Sequence, residues 1–283
     1  MVKAHYPESL NEALTIKAEK KDQSLLVMGG SDVMVVHKTA PDVIYLNSIT
    51  GLKYVEQTEE YLRIGAGCTY AELIDDELVP EILRETMREI ASPAIRNVGT
   101  VVGNICNASP AGDTLPVLYA MDAVVVAAGL DDNGKKIERR IPIAKFILGV
   151  RKIDLRDNEI VSAVEIPRSS YEGMTKLSHT KVGARKAEAI AKLSFAGICK
   201  VENGKIADIR IAFGSVGITV LRQRDIEEMI AGTPVSELEG KKADILARYA
   251  EVLHPISDQR STEGYRKKVC LNLLKDFLNN ICE

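Results

Sequence analysis

Residues 96–116, RNVGTVVGNICNASPAGDTLP, place three glycines, three asparagines, two prolines and an aspartate in one short run. Glycine and proline weaken regular structure, and Asn and Asp offer side-chain bonds to nearby backbone. Such a run is not expected to form an ordinary helix or a plain strand. It is either an elaborate loop or a backbone cradle for something small and polar.

The 283 residues suffice for one large domain or for two modules with separate cores. The chain is 46% hydrophobic and 27% charged, with mean hydropathy near zero, an ordinary globular composition. A formal charge of −3 and a pI near 5.9 give no support to nucleic-acid or membrane-surface binding. The opening MVKAHYPESLNEAL lacks an apolar core of signal-peptide length. No apolar run approaches the roughly 18 residues that a spanning helix needs. A cytoplasmic protein is expected, with no nucleic-acid or membrane partner. Cys68, Cys106, Cys199, Cys270 and Cys282 form no CxxC pair, and His5, His37, His179 and His254 are scattered. That spacing suits neither a zinc site nor an iron–sulfur cluster, so the thiols read as reduced packing residues and no metal is expected.

Outward from the quoted run, the pattern is α+β. Ser9 and Glu12 suggest a capping box, and Leu10, Ala13, Leu14 and Ala18 mark one helix face. LLVMGGSDVMVV then gives a strand, a glycine pair and a second apolar run. PDVIYLNSI reads as a strand, and YLRIGAGCTYAELI as an extended segment turning into a helix. DAVVVAAG predicts a buried strand, DDNGKK a turn, and IVSAVEIP an alternating strand that ends in breakers. A boundary falls near residues 168–176. Beyond it two antiparallel strands surround Asn203-Gly204, with Ile209, Ile211 and Phe213 facing one way and Arg210 and Ala212 the other. The remainder is helical. Cys270, Leu273, Leu274, Phe277 and Ile281 form one buried stripe on the last helix.

Two segments compete for chemistry: Met28-Gly29-Gly30-Ser31-Asp32 directly after a strand, and Thr100 to Asp113. Glycine adopts positive φ and has no Cβ to hold off a ligand, so successive N–H groups can close on phosphate oxygens. Ser31, Thr100 and Ser109 bring hydroxyls. Asn104 suits a ribose or amide edge, and Asp113 suits the hydroxyls of a sugar-like chain. Each has a bland alternative: a glycine pair after a strand is often just a turn, and Asp113 before TLPVLYA suits an N-cap. Neither GxGxxG nor GxxxxGK[ST] is present.

LLVMGGSDVMV, ASPAIRNVGTVVGNICNASPAGD and NEIVSAVEIP together resemble the flavin-binding subunit of the molybdenum hydroxylases, which include xanthine, carbon monoxide and nicotinate dehydrogenases. KVGARKAEAIAKLSFAG, DIRIAFGSVGITVLR and SDQRSTEGYRKKV extend the resemblance over nearly the whole chain. It implies a two-part FAD-binding domain of the vanillyl-alcohol oxidase (PCMH) type over 1–170, with subdomains 1–57 and 58–170. A smaller α+β C-terminal domain of the molybdenum hydroxylase flavoprotein type would follow over 171–283. FAD would be held by Leu26, Val27, Met28, Gly29, Gly30, Ser31 and Asp32, with Thr100, Gly103 and Asn104 forming the second phosphate-facing loop. Asp113 would take the ribityl chain, with Val161 and Lys181 near the adenine or flavin.

The implied activity is that of a flavoprotein oxidoreductase subunit. Electrons would come from [2Fe–2S] clusters on an iron–sulfur small subunit, after hydroxylation at molybdopterin on a molybdenum-binding large subunit. They would leave to NAD⁺ or another acceptor. No catalytic acid or base is assigned, since the redox chemistry belongs to the cofactor. Lys181 and Arg185 either favour the reduced flavin or form surface ion pairs. The chain departs from the family at Val102, where a glycine is usual, and at His179 and Thr180, where an aromatic residue is usual. The cysteine-bearing insertion of some relatives is not found. The alternatives are an assembly subunit that has lost FAD and a free-standing flavin oxidoreductase.

Overall fold

The computed structural model describes residues 2–36 and 38–283; His37 lies outside the described residues. The chain divides into two compact units. The first comprises Met1–Val79, Ala91–Ala108 and Ala123–Ile166, and the second Pro80–Ile90, Ser109–Asp122 and Pro167–Glu283.

The first unit has two sheets. β1 (Lys3–His5), β2 (Ser24–Val27) and β3 (Asp42–Tyr45) form a parallel sheet in the order β1-β3-β2. The helix Leu10–Lys20 connects β1 to β2 and buries Ala13 and Leu14. The Ser9 hydroxyl accepts from the Glu12 N–H at 3.2 Å, as the sequence suggests. The Glu12 carboxylate accepts from Glu8 at 2.8 Å, one residue ahead of the cap. A full reciprocal box occurs instead between Thr69 and Glu72, opening the helix Tyr70–Ile74.

The second sheet contains β4 (Val55–Gln57), β5 (Tyr61–Gly65), β6 (Val124–Leu130) and β7 (Lys136–Pro142). A small hairpin of β8 (Ile147–Gly149) and β9 (Lys152–Ile153) precedes its last member, β10 (Ile160–Pro167), and the order is β4-β5-β10-β6-β7. The alternation in IVSAVEIP does not mark a wet face, because Ser162 and Glu165 are as buried as their apolar neighbours. The Glu165 carboxylate tolerates this because Arg140 donates to it at 2.9 and 3.1 Å and Arg63 at 3.3 Å.

In the second unit, β11 (Lys176–Val182), β12 (Leu193–Glu202), β13 (Lys205–Gly214) and β14 (Leu221–Arg222) form an antiparallel meander. One face carries an aromatic cluster with Phe195, Phe213, Tyr249 and Phe277, ring centroids 5.3–5.7 Å apart. The C-terminal helix Glu263–Cys282 contributes Cys270, Leu274, Phe277, Leu278 and Ile281 to this core, with Leu273 only partly buried. On the other face lies the wholly buried helix Leu115–Ala120, against β12 and β13. Ala212, on the face opposite Ile211 and Phe213, is therefore fully buried as well. Cys68, Cys199 and Cys270 are buried and form no disulfide; burial pushes the Cys199 and Cys270 thiols up to about 12. Among the described residues, no helix is long and apolar enough to cross a membrane.

The last carbonyls of helix Leu115–Ala120 have no partners within the helix. Arg222 donates to Tyr119 O at 2.5 Å and Asp122 at 2.9 Å, and binds Glu227 through Nε and Nη2 at 3.0–3.1 Å. Both side chains are nine-tenths buried. Arg222→Ala strands the Glu227 carboxylate, and the expected cost is about 3–5 kcal/mol of stability. Urea unfolding checks this, and a loss below about 1 kcal/mol would show that the network does not hold the helix.

Candidate functional site

β2 leads directly into the first glycine loop, which Gly30 turns at φ +71 to start the short helix Ser31–Val35. The second apolar run of the sequence is this helix. A Cβ on Gly29 would lie 1.9 Å from the carbonyl oxygen of Val98, so the backbones of the two loops touch there. The two glycines have different jobs. Gly29 permits the close approach, whereas Gly30 supplies a left-handed backbone that L side chains disfavour.

The second loop corrects the expectation that it contains no helix: Val101–Asn107 is helical. Thr100 caps it, its hydroxyl accepting from the Gly103 N–H at 2.9 Å, while Val101, Val102 and Ile105 are buried. Cap and burial together outweigh the roughly 1 kcal/mol cost of glycine in a helix. Val102, 4% exposed, points into the core. Gly103 is exposed, and a Cβ there would meet only the Thr100 hydroxyl, at 3.0 Å.

Arg151 is a residue that sequence reasoning missed. Its Nη1 donates to Asp32 at 3.1 Å and to Asn107 at 2.7 Å, and its backbone N–H to Ala108 O at 3.0 Å. It thus straps the helix after the first loop to the end of the second. No local signal could have found it, since 119 residues separate it from Asp32. Val161 is buried at a register shift in β10, opposite Ala127.

Asp113 and Lys181 lie in the second unit and are joined by an ion pair at 2.7 Å. Lys181 also donates to Glu89 O at 3.0 Å, and its side chain is only 8% exposed, so it is not a surface pair. Asp113 is not an N-cap; Thr114 holds that position. The Asp113 Oδ1 is buried without a partner among the described residues. Burial raises the Asp113 pKa, and the Lys181 ammonium opposes the rise. His179 stands two residues before Lys181 on β11, 4% exposed, with its Nδ1 3.8 Å from the Glu89 carboxylate and its buried Nε2 unpartnered. Burial first, and the Lys181 charge second, push the imidazole down to about 4. Glu89 is raised, mainly by burial. Arg185, by contrast, is exposed and bonds the Ala187 and Glu188 carbonyls. No group of three or more metal-ligating side chains occurs among the described residues.

In the first unit, loops that close backbone to backbone and an outward Gly103 fit a ligand with phosphates. Residues 1–169 match the model of the FAD binding domain in molybdopterin dehydrogenase, and residues 178–281 that of the CO dehydrogenase flavoprotein C-terminal domain. The chain belongs to this family of FAD-binding oxidoreductase subunits. It is similar to the xanthine dehydrogenase FAD-binding subunit of Escherichia coli O157:H7, 27% identical over 97% of this chain and 94% of the relative. It is also similar to the glyceraldehyde dehydrogenase medium chain of Sulfolobus acidocaldarius, 29% identical over 93% of this chain and 92% of the relative. The fold matches a chain of the reconstituted CO dehydrogenase from Oligotropha carboxidovorans with a TM-score of 0.89, at 22% identity over 100% of this chain and 98% of that chain.

Gly29→Ala drives a Cβ into a carbonyl and is expected to destabilise the protein by at least about 2 kcal/mol, whereas Gly103→Ala leaves ligand-free stability within about 0.5 kcal/mol. Denaturant titration of both variants separates loop packing from ligand exposure. The pH dependence of stability isolates His179. Between pH 6.5 and about 4 the unfolded chain protonates this imidazole while the folded protein keeps it neutral. Wild-type stability is therefore lost as pH falls through that window, and the raised Asp113 and Glu89 act in the opposite direction. Relative to His179→Leu, the wild type is expected to lose up to about 3 kcal/mol between pH 7 and pH 4, read from unfolding curves at each pH.

Proposed function

We propose that the chain is the flavin-carrying electron-transfer subunit of a heteromeric molybdenum hydroxylase. The observation that carries this is the contact of Gly29 with Val98, which holds the two glycine loops of an FAD-binding domain face to face. Leu26 to Asp32, with Thr100, Gly103 and Asn104, would hold the adenine and diphosphate part of FAD. Asp113 would accept from the ribityl hydroxyls, with Lys181 fixing its carboxylate, and Val161 would line the adenine or flavin side.

Bound FAD supplies the redox chemistry, exchanging electrons between one-electron and two-electron partners. This chain's own work is to bind the flavin, orient it and set the charge around it. Lys181 keeps a buried positive charge beside Asp113. Partner subunits would carry the rest: an iron–sulfur small subunit with [2Fe–2S] clusters and a large subunit with molybdopterin. NAD⁺ or another acceptor would take the electrons. The subunit and medium-chain names of the relatives support a complex over a free-standing oxidase. Val102, the residue that favours loss of FAD, faces the core and does not obstruct the loop surface.

The test is the absorbance of the purified chain after addition of FAD and desalting. Bands near about 450 nm are expected to persist in the wild type. Gly103→Val is expected to retain less than about a tenth of the flavin, at an unchanged ligand-free melting temperature. Full occupancy in that variant would sink the loop assignment, and a colourless wild type would sink the function. Co-purification with an iron–sulfur and a molybdenum protein tests the partners.

A further inference from the structure

One buried ammonium ties together two distant points of the chain. Lys181 Nζ donates to Glu89 O at 3.0 Å and to Asp113 Oδ2 at 2.7 Å. Glu89 is the C-cap of the helix Glu81–Arg88, and Asp113 directly precedes Thr114, the N-cap of helix Leu115–Ala120. Lys181, Glu89 and Asp113 all belong to the second unit. Between the two helices the chain leaves that unit, because Ala91–Ala108 belongs to the first. This excursion carries Thr100, Gly103 and Asn104, the second glycine loop. Lys181 therefore bonds the chain just before the excursion departs and shortly after it returns.

Each bond meets a separate physical need. The last carbonyls of a helix have no partners within it, and a cation is favoured beside them. Asp113 supplies the countercharge that lets an ammonium stay only 8% exposed. An ammonium has three N–H donors and can serve both acceptors at once, which an apolar side chain cannot. The residues it joins, Glu89 and Asp113, lie just outside the two helices, where the backbone is irregular. Within the first unit the middle of the excursion is fixed by other means. Gly29 abuts Val98, Tyr70 N–H donates to Gly99 O at 2.9 Å, and Arg151 N–H donates to Ala108 O.

We propose that Lys181 is a positioning residue for the second glycine loop, a clasp that joins the two ends of the excursion and so keeps Thr100 to Asn104 ordered before a ligand arrives. Bringing the ends of a segment together costs conformational entropy. A bond that already holds them removes part of that cost from ligand binding. The effect travels along the chain itself, from Glu89 into residue 91 and from residue 108 to Asp113. What the loop binds rests on the function proposed above; the clasp does not.

Amide hydrogen exchange of the ligand-free protein tests the clasp. Inside the excursion, the Gly103 and Asn104 amides are bonded to Thr100, at 2.9 and 3.0 Å, and the helix continues to Asn107. The paired strands β12 and β13 report on the core of the second unit. In Lys181→Met, exchange of amides 103–107 is expected to quicken about tenfold, while that of β12 and β13 changes less than about twofold. Lys181→Arg, whose guanidinium can also donate to a carboxylate and a carbonyl together, is expected to return amides 103–107 to within about threefold of the wild type. Equal acceleration in both regions would make Lys181 a stabiliser of the second unit alone and overturn the proposal, as would unchanged exchange at 103–107. Should the Met variant fail to fold, the nearly isosteric Asp113→Asn decides. It removes the ion pair, and amides 103–107 are expected to quicken at least about threefold with β12 and β13 unchanged; no change at 103–107 overturns the clasp. Flavin binding is read separately. A wild type that binds no FAD overturns the cofactor assignment, whereas the clasp stands or falls on the exchange.

Discussion

The geometry of the first unit's candidate site depends on a place where no side chain fits. Gly29 lies so close to the Val98 carbonyl that even a methyl group would overlap it. Because backbone meets backbone there, the spacing of the loops is set by covalent geometry and van der Waals radii, with no rotamer to relax. Gly30 then turns the chain through the left-handed region, so the direction of the first loop is set as firmly as its distance from the second. The Arg151 strap acts at the far ends, joining Asp32 to Asn107. A steric contact and an ionic tie together shape the loops before any ligand arrives, which lowers the ordering cost of binding.

Two of the polar clusters in the second unit are opposite in character. Around Arg222, all three guanidinium nitrogens and both Glu227 oxygens are hydrogen-bonded. That network is closed, and its role is mechanical: it terminates helix Leu115–Ala120 and fixes it to the meander. Around Lys181, an acceptor on Asp113 and a ring nitrogen on His179 remain open. Buried polar atoms without partners are uncommon in folded proteins, because each retains its desolvation cost. The closed cluster secures the helix that follows Asp113, and the other leaves one oxygen of that carboxylate buried without a partner among the described residues.

Local chemistry was legible in the sequence wherever one residue decides the outcome. The glycine pair, the Asn203-Gly204 hairpin and the C-terminal apolar stripe could all be read directly, and the ordered motifs pointed to the family. The helix Val101–Asn107 could not. Its cap, Thr100, has Gly103 in place of the Glu or Gln that completes a recognisable box, and its stability comes from the burial of Val101, Val102 and Ile105. The surroundings of Arg151, Glu165 and His179 were illegible for a related reason. Each owes its environment to partners distant in the chain, which composition and period do not encode. The same holds for helix Leu115–Ala120, which clusters with the C-terminal residues because β12 and β13 receive its apolar surface.

Helical phase resolves what the sequence alone left open at Val102. In an irregular loop, two adjacent residues can both face a ligand, and a valine beside Gly103 would then obstruct it. In a helix, successive side chains are about 100° apart, and burial of 101, 102 and 105 fixes which arc faces the core. Position 103 falls outside that arc and position 102 within it. The bare backbone on the exposed side is therefore that of Gly103, and at 102 a larger side chain fills the core. A buried valine contributes about 1.5–3 kcal/mol relative to an exposed one, so Val102 adds core packing and leaves the exposed backbone at Gly103 unchanged.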